Sequence, residues 1–149
     1  MIAEIYTATE HDIEFVSTHL READRLELSL SRPDVSPVQT VMESVLMSRW
    51  CCSARIDEVP SLLFGVCDSA VKGVGIPWMV STDGISRIKR PFVKRCTIVV
   101  DRMRNDFRTL YNRVHRENAI AIRWLEWLGF EVERTDDEFL NFWMGKENV

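Results

Sequence analysis

No stretch of this chain is more restrictive than Asn118-Ala119-Ile120-Ala121-Ile122-Arg123-Trp124-Leu125-Glu126-Trp127-Leu128-Gly129-Phe130. Both ends of a helix are written into it. Asn118 carries a short polar side chain of the kind that caps a first turn. Gly129 can take the left-handed conformation that ends a helix, and Phe130 can then fold back onto the last turn. The apolar spacing puts Ala121, Leu125 and Leu128 on the face expected to be buried. The flanks read as strands. Leu110, Asn112 and Val114 alternate before the helix, Val132 opens a run after it, Asp136-Asp137 turns the chain, and residues 139–144 return antiparallel.

Upstream, residues 2–8 alternate as a strand, and Thr9-x-x-Asp12 has the form of a capping box, in which side chain and backbone satisfy each other's orphan donors. Ile13, Val16, Leu20 and Ala23 then share a helical face. The pattern over residues 26–34 is irregular, and Pro33 breaks any helix there. Ser36-Pro37-Val38-Gln39 is a second start signal, with Ser at the N-cap and Pro at the first helical position. Val38, Val41, Val45 and Leu46 form its apolar stripe, and the helix is expected to end near Trp50. Residues 51–56 and 61–67 flank Asp57-Glu58-Val59-Pro60 as a hairpin. Residues 76–81 are a third apolar run, in which Pro77 cannot donate a ladder bond, and Thr82-Asp83-Gly84 closes it. Phe92, Cys96, Val99, Met103 and Phe107 follow at helical spacing.

The expected order is β-α-α-β-β-β-α-β-α-β-β, an α/β (α+β) fold with a mixed central sheet of about seven strands and helices on both faces. A crossover helix joins parallel strands, so residues 76–81 and 109–115 should be parallel neighbours that splay at their C-terminal ends.

The 149 residues suit a single domain spanning 1–149. The formal charge is −4, which argues against a nucleic-acid-binding coat. No run approaches the ~18–20 apolar residues needed to cross a bilayer, and residues 1–10 lack the basic start and apolar middle of a signal peptide. A cytoplasmic protein is expected, with no membrane and no nucleic-acid partner. Cys51 and Cys52 are adjacent, Cys67 and Cys96 sit in apolar stretches, and His11, His19 and His115 are scattered, so no metal site is expected.

The Asn118–Phe130 segment resembles N-x-x-A-[IV]-x-[LF]-Y-[EQ]-x-x-G-[FY] of the GNAT N-acetyltransferases, and the element order is similar to theirs. The resemblance implies acetyl-CoA as cofactor, with this helix lining its cleft and Asn118 at the cleft's edge. A narrower resemblance is to small podovirus-type phage proteins linked to that fold, among them an internal virion, or head-assembly, protein of short-tailed coliphages. It is carried by His19-Leu20-Arg21 with Asp24 and Glu27, by Pro77-Trp78 before Thr82-Asp83, and by Leu110-x-Asn112-x-Val114 before Asn118. It implies the host-cell cytoplasm, or the virion, as location.

Two departures stand out. GNAT enzymes hold the CoA pyrophosphate on [RQ]-x-x-G-x-[GA], where backbone N–H groups and a helix N-terminus do the work. Here the segment is Thr82-Asp83-Gly84-Ile85-Ser86-Arg87-Ile88-Lys89-Arg90, with one glycine and an aspartate that repels phosphate. Arg87, Lys89 and Arg90 would have to substitute as point charges. The tyrosine that protonates the leaving thiolate in many of these enzymes is replaced by Leu125, which has no proton to give.

Acetyl transfer needs a base for the amine and a donor for the oxyanion. On the resemblance, backbone groups from Val80 to Thr82 supply the donor. Glu27 is the first candidate base, with Asp24 beside it, and His115 at the end of its strand is the second. Two readings stay open: an acyltransferase acting on an amine or a protein lysine, and a catalytically degenerate GNAT-fold protein acting in virion assembly or on a host protein. Trp127 is a possible interface anchor under the second.

Overall fold

Local signals of these kinds build most of the structure. The computed structural model describes residues 2–145. Its elements are β1 (Ala3–Thr7), α1 (Glu10–Thr18), α2 (Glu22–Ser31), α3 (Pro37–Met47), β2 (Ser48–Ile56), β3 (Val59–Asp68), β4 (Val74–Ser81), a 3-10 turn (Asp83–Arg87), α4 (Arg90–Arg95), α5 (Thr97–Asp106), β5 (Thr109–His115), α6 (Ala119–Trp127), β6 (Glu131–Val132) and β7 (Phe139–Gly145). The strands form one seven-stranded mixed sheet in the order β1-β2-β3-β4-β5-β7-β6, flanked by helices. β4 and β5 are parallel neighbours, as the crossover requires. Among the described residues no helix is long and apolar enough to cross a membrane.

The chain divides into two compact units. The first comprises Met1–Cys67 with Trp78–Ile88, the second Asp68–Pro77 with Lys89–Val149.

In the first unit the Thr9 box closes α1 from both sides. Thr9 Oγ1 accepts from the Asp12 amide at 3.2 Å, and Asp12 Oδ2 accepts from the Thr9 amide at 2.9 Å. Arg55 on β2 completes Asp12 with two bonds of 2.9 Å from Nε and Nη2. The core gathers Val16, Leu20, Val41, Leu63 and Val80. The hairpin turn is tighter than four residues. Asp57 and Glu58 alone reverse the chain, both at positive φ (50° and 69°), the geometry of a two-residue turn whose twist matches its strands.

Four expectations fail here. α1 ends at Thr18, before Leu20 and Ala23. The irregular stretch is a helix, α2, which begins without a side-chain cap. The α3 stripe is narrower than its spacing suggested: Val41 is buried, but Val38 is exposed and Leu46 is 83% exposed. α3 also ends three residues early, because Ser48 already pairs with Cys67 in the sheet.

In the second unit Phe92, Cys96, Val99, Met103 and Phe107 are all buried. They belong to two helices rather than one. At Cys96 the amide is shared between the carbonyls of Phe92 and Val93, a tightened turn that ends α4 before α5 starts. β5 and β7 pair from Thr109↔Gly145 to His115↔Phe139. α6 ends as expected: Gly129 sits at φ 100°, the Phe130 amide donates to the Leu125 carbonyl at 2.9 Å, and buried Phe130 meets Phe142 edge-to-face at 5.2 Å.

The register of α6 differs from the expected one. Its buried residues are Ala121, Ile122 and Trp124, whereas Leu125 and Leu128 are only half-buried. The buried arc is centred nearer the start of the helix and takes in Trp124, 3% exposed, in place of Leu125. Leu125→Ala should therefore cost less than about 2 kcal/mol, below the 2–5 kcal/mol of a fully buried leucine. Urea denaturation checks this, and a larger loss would restore the expected register.

Candidate functional site

In the first unit the end of β4 is where the most polar side chains converge. Arg21, Asp24 and Ser81 are buried together. Arg21 donates to Asp24 through Nη2 (3.0 Å) and Nε (3.1 Å), and Nε also reaches Ser81 Oγ at 3.1 Å. Asp24 Oδ2 accepts from the Ser81 amide at 2.8 Å, and the Arg21 amide donates to the Ser81 carbonyl at 3.0 Å. The start of α2 is thereby riveted to the last residue of β4. This engaged carboxylate cannot serve as a free base.

Next along the chain, Thr82 donates its amide to the Ser61 carbonyl at 2.9 Å and accepts from the Gly84 amide through Oγ1 at 3.1 Å. Gly84 is held to glycine by packing: a Cβ there would lie 2.9 Å from Ser61 Oγ. The segment expected as a loop is a single 3-10 turn over Asp83–Arg87. Arg87, exposed, pairs with Asp57 at 2.9 Å. Thr82, Gly84 and Arg87 line an open hollow of about 530 Å³ together with Thr18, His19 and Arg25. Arg25 Nη2 donates to the Leu20 carbonyl at 2.8 Å, which holds its guanidinium at the rim. Hydroxyls, two guanidiniums and an imidazole line the hollow alongside Asp83, and each guanidinium already has an acidic partner, Glu22 at 3.5 Å for Arg25 and Asp57 for Arg87.

The side chain of Val80 belongs to the first unit's core. Glu27 is half-buried on α2. In the second unit Lys89 and Arg90 are exposed at the start of α4. Asn118 occupies the N-cap of α6, but its buried side chain makes no capping bond. His115 is buried, edge-on to Phe139, and its Nδ1 accepts from the Glu117 amide at 3.2 Å. In the neutral ring that bond places the proton on Nε2. Asn112 reaches back to β4, its Nδ2 donating to the Pro77 carbonyl at 2.8 Å.

Sequence reading named Arg21 only as part of the phage-protein likeness and Ser81 only within the Val80 to Thr82 backbone, and it gave no side-chain role to Arg21, Arg25 or Ser81. Their only signal was a basic residue on either side of Asp24, and nothing local joins Asp24 to Ser81. Burial pushes the Cys51 thiol up to about 12, helped by Cys52, Asp12 and Cys67, so it is protonated at neutral pH and no nucleophile. Among the described residues no cluster of three or more His, Cys, Asp or Glu is placed to hold a metal ion.

Solved structures share this architecture. PaiA N-acetyltransferase from Thermoplasma acidophilum, in complex with coenzyme A, superposes with a TM-score of 0.67 over 98% of this chain and 100% of its own, at 15% identity. AAC(6')-Ib in complex with ribostamycin and coenzyme A gives 0.66 over 97% and 93%, at 17% identity. The GNAT domain of S. lividans PAT gives 0.64 over 95% and 89%, at 14% identity. No protein-family model and no curated protein sequence matches the chain. The fold is the GNAT fold.

Proposed function

We propose that this GNAT-fold chain is an acyltransferase, moving an acetyl group from acetyl-CoA to an amine or a protein lysine. The observation that carries the reading is the short ladder between β4 and β5. It pairs Val74 with Thr109 and Gly75 with Leu110. Two residues on, Pro77 has no N–H to give, and a side chain, Asn112, takes its carbonyl. Strand backbone that is not paired in a ladder is open to pairing with an extended, amide-bearing ligand. Two of the structural neighbours hold coenzyme A, and the hollow at Thr82, Gly84 and Arg87 offers donors and charge to phosphates.

In the transfer, the amine attacks the thioester carbonyl, the C–S bond breaks, and the thiolate takes a proton. Of the residues Val80 to Thr82, the amides of Ser81 and Thr82 are already bonded to Asp24 and Ser61; the oxyanion donor's role stays with the backbone of this segment as a whole in this scheme. Glu27 takes the base's role. His115 is the second candidate for that role, and with Leu125 in the tyrosine's place the thiolate takes its proton from solvent.

A second reading, an assembly or host-interaction protein on the same scaffold, is favoured by those committed amides and by the missing glycines. The podovirus-type likeness belongs to this reading and rests on the residues quoted from the sequence; the structural neighbours give it no support.

Calorimetry with acetyl-CoA at low salt separates the two. Binding is expected, weaker than roughly 10 µM because long side chains are less preorganised than a glycine-rich loop. It should fade as salt shortens the screening length to about 8 Å. Arg87→Ala should weaken it about tenfold, the worth of one charge-assisted hydrogen bond, at an unchanged unfolding midpoint. No heat at millimolar acetyl-CoA would put the assembly reading in its place.

A further inference from the structure

The scheme above uses Thr82, Gly84 and Arg87 of the first unit's hollow and leaves the rest of its lining unassigned. The end of α1 contributes Phe15 and His19 to that lining. The imidazole of His19 stacks on the Phe15 ring, with centroids 4.2 Å apart and planes at 14°. Its Nδ1 stands 2.8 Å from the Phe15 carbonyl and 3.1 Å from Thr18 Oγ1. A carbonyl can only accept, and Thr18 Oγ1 already donates to the Glu14 carbonyl at 2.7 Å. Nδ1 therefore carries the proton, and in the neutral ring Nε2 carries the lone pair. Among the described residues nothing is bonded to Nε2. The hollow's guanidiniums, Arg25 and Arg87, are paired with Glu22 and Asp57. Asp83, also in the lining, is in no ion pair among the described residues.

We infer that His19 is the base that takes a proton from the acceptor, a primary amine with an apolar body that enters this hollow as its ammonium. Beside the paired guanidiniums the hollow holds one carboxylate, which attracts a cation, and one oriented lone pair, which can deprotonate it. Phe15, Leu20, Ile56 and Val59 give the carbon part of such a molecule apolar contact. Thr82 belongs both to this lining and to the backbone segment given to the oxyanion, whereas Glu27 is not part of the lining, so His19 takes the role that the sequence assigns to Glu27. In the step, Nε2 removes one proton from the ammonium and later releases it to solvent. The neutral amine attacks the thioester carbonyl, the C–N bond forms as the C–S bond breaks, and the second proton shed by the nitrogen balances the one that the thiolate takes from solvent. The inference rests on the acetyl-CoA reading for its acyl donor. The bond from Nδ1 also caps α1, since Phe15 carries one of the carbonyls that a helix end leaves without a partner, and the test has to separate the two roles.

The experiment measures transfer from acetyl-CoA to benzylamine, with the N-acetylbenzylamine formed quantified by mass spectrometry and acetyl-CoA binding followed by calorimetry on the same sample. In His19→Asn the side-chain amide keeps a donor for the Phe15 carbonyl and loses the lone pair. Its kcat should fall about 100-fold, while its unfolding midpoint and its affinity for acetyl-CoA stay at the wild-type values. In His19→Ala, added imidazole should restore part of the rate. Asp83→Asn should raise the KM for benzylamine several-fold and leave kcat near the wild-type value. Full activity in His19→Asn, or a loss that tracks a lowered midpoint and does not respond to imidazole in His19→Ala, leaves His19 as a helix cap and overturns the inference. If the wild type binds acetyl-CoA and forms no product, the inference falls and the acetyl-CoA reading stands. If it does not bind acetyl-CoA, both fall.

Discussion

Asp24→Ala should destabilise the chain by about 3–5 kcal/mol, the cost of removing one partner from a buried ion pair. Asp24 is 4% exposed and Arg21 is 7% exposed, so water cannot take over the lost contacts. The substitution removes the counter-charge of Arg21 and the acceptor of the Ser81 amide in one step. Asp24→Asn keeps an acceptor for Ser81 and loses only the charge, so a smaller loss is expected. Urea denaturation of both variants gives the comparison. A loss below about 1 kcal/mol for Asp24→Ala would mean that the cluster does not hold α2 to β4. A full loss of stability would also explain why carboxylate chemistry is absent at Asp24: its oxygens are spent on architecture.

The second large effect is expected at Asp12, and it should depend on pH. Asp12 is fully buried, and burial pushes its carboxyl up. The bonds from Arg55 and from the amide and hydroxyl of Thr9 outweigh that, so its pKa ends below the usual carboxylate value. A carboxylate whose pKa is depressed on folding contributes stability above the unfolded value of about 3.9, and that contribution is lost as pH falls through the lower folded value. Asp12→Ala should therefore cost about 3 kcal/mol at pH 7, the low end for a broken buried pair, because Arg55 is partly exposed and can rehydrate. The gap between wild type and variant should hold from pH 7 to 5 and close below about pH 4. Urea midpoints at pH 7, 5 and 3 check this. A gap that stays constant down to pH 3 would assign the effect to packing and capping rather than to charge.

The elements that were legible before the structure share one property: their cause lies within about four residues. Thr9 and Asp12 meet across one turn, Ser36 accepts from the Gln39 amide at 3.2 Å, and Gly129 ends α6 with Phe130 bonded to Leu125. The hairpin at Asp57-Glu58 is of the same kind, whereas the parallel pairing of β4 with β5 spans 35 residues (Val74↔Thr109) and was legible for another reason: a crossover helix admits few alternatives. The candidate site was legible only in part. Residues 82–87 stood out because an arginine and a glycine were in view. That Gly84 serves Ser61, and that the amides of Ser81 and Thr82 are already taken, was not.

What the linear pattern left undecided was settled by partners far along the chain. α2 has no cap of its own and is stabilised by Asp24 meeting Ser81, 57 residues away. α4 and α5 share one unbroken apolar spacing, and the break at Cys96 is visible only in its divided amide bond. α6 carries enough apolar residues to bury either of two arcs, and the one buried is that of Ala121, Ile122 and Trp124. Periodicity states that a face is apolar; it does not state how much room the facing surface has. The end of α6 could be read from Gly129 and Phe130 alone because its donor and acceptor are near neighbours in the chain, whereas the capping bond expected of Asn118 does not form, and burial and polar pairing depend on volumes and charges that meet only after the chain has closed on itself.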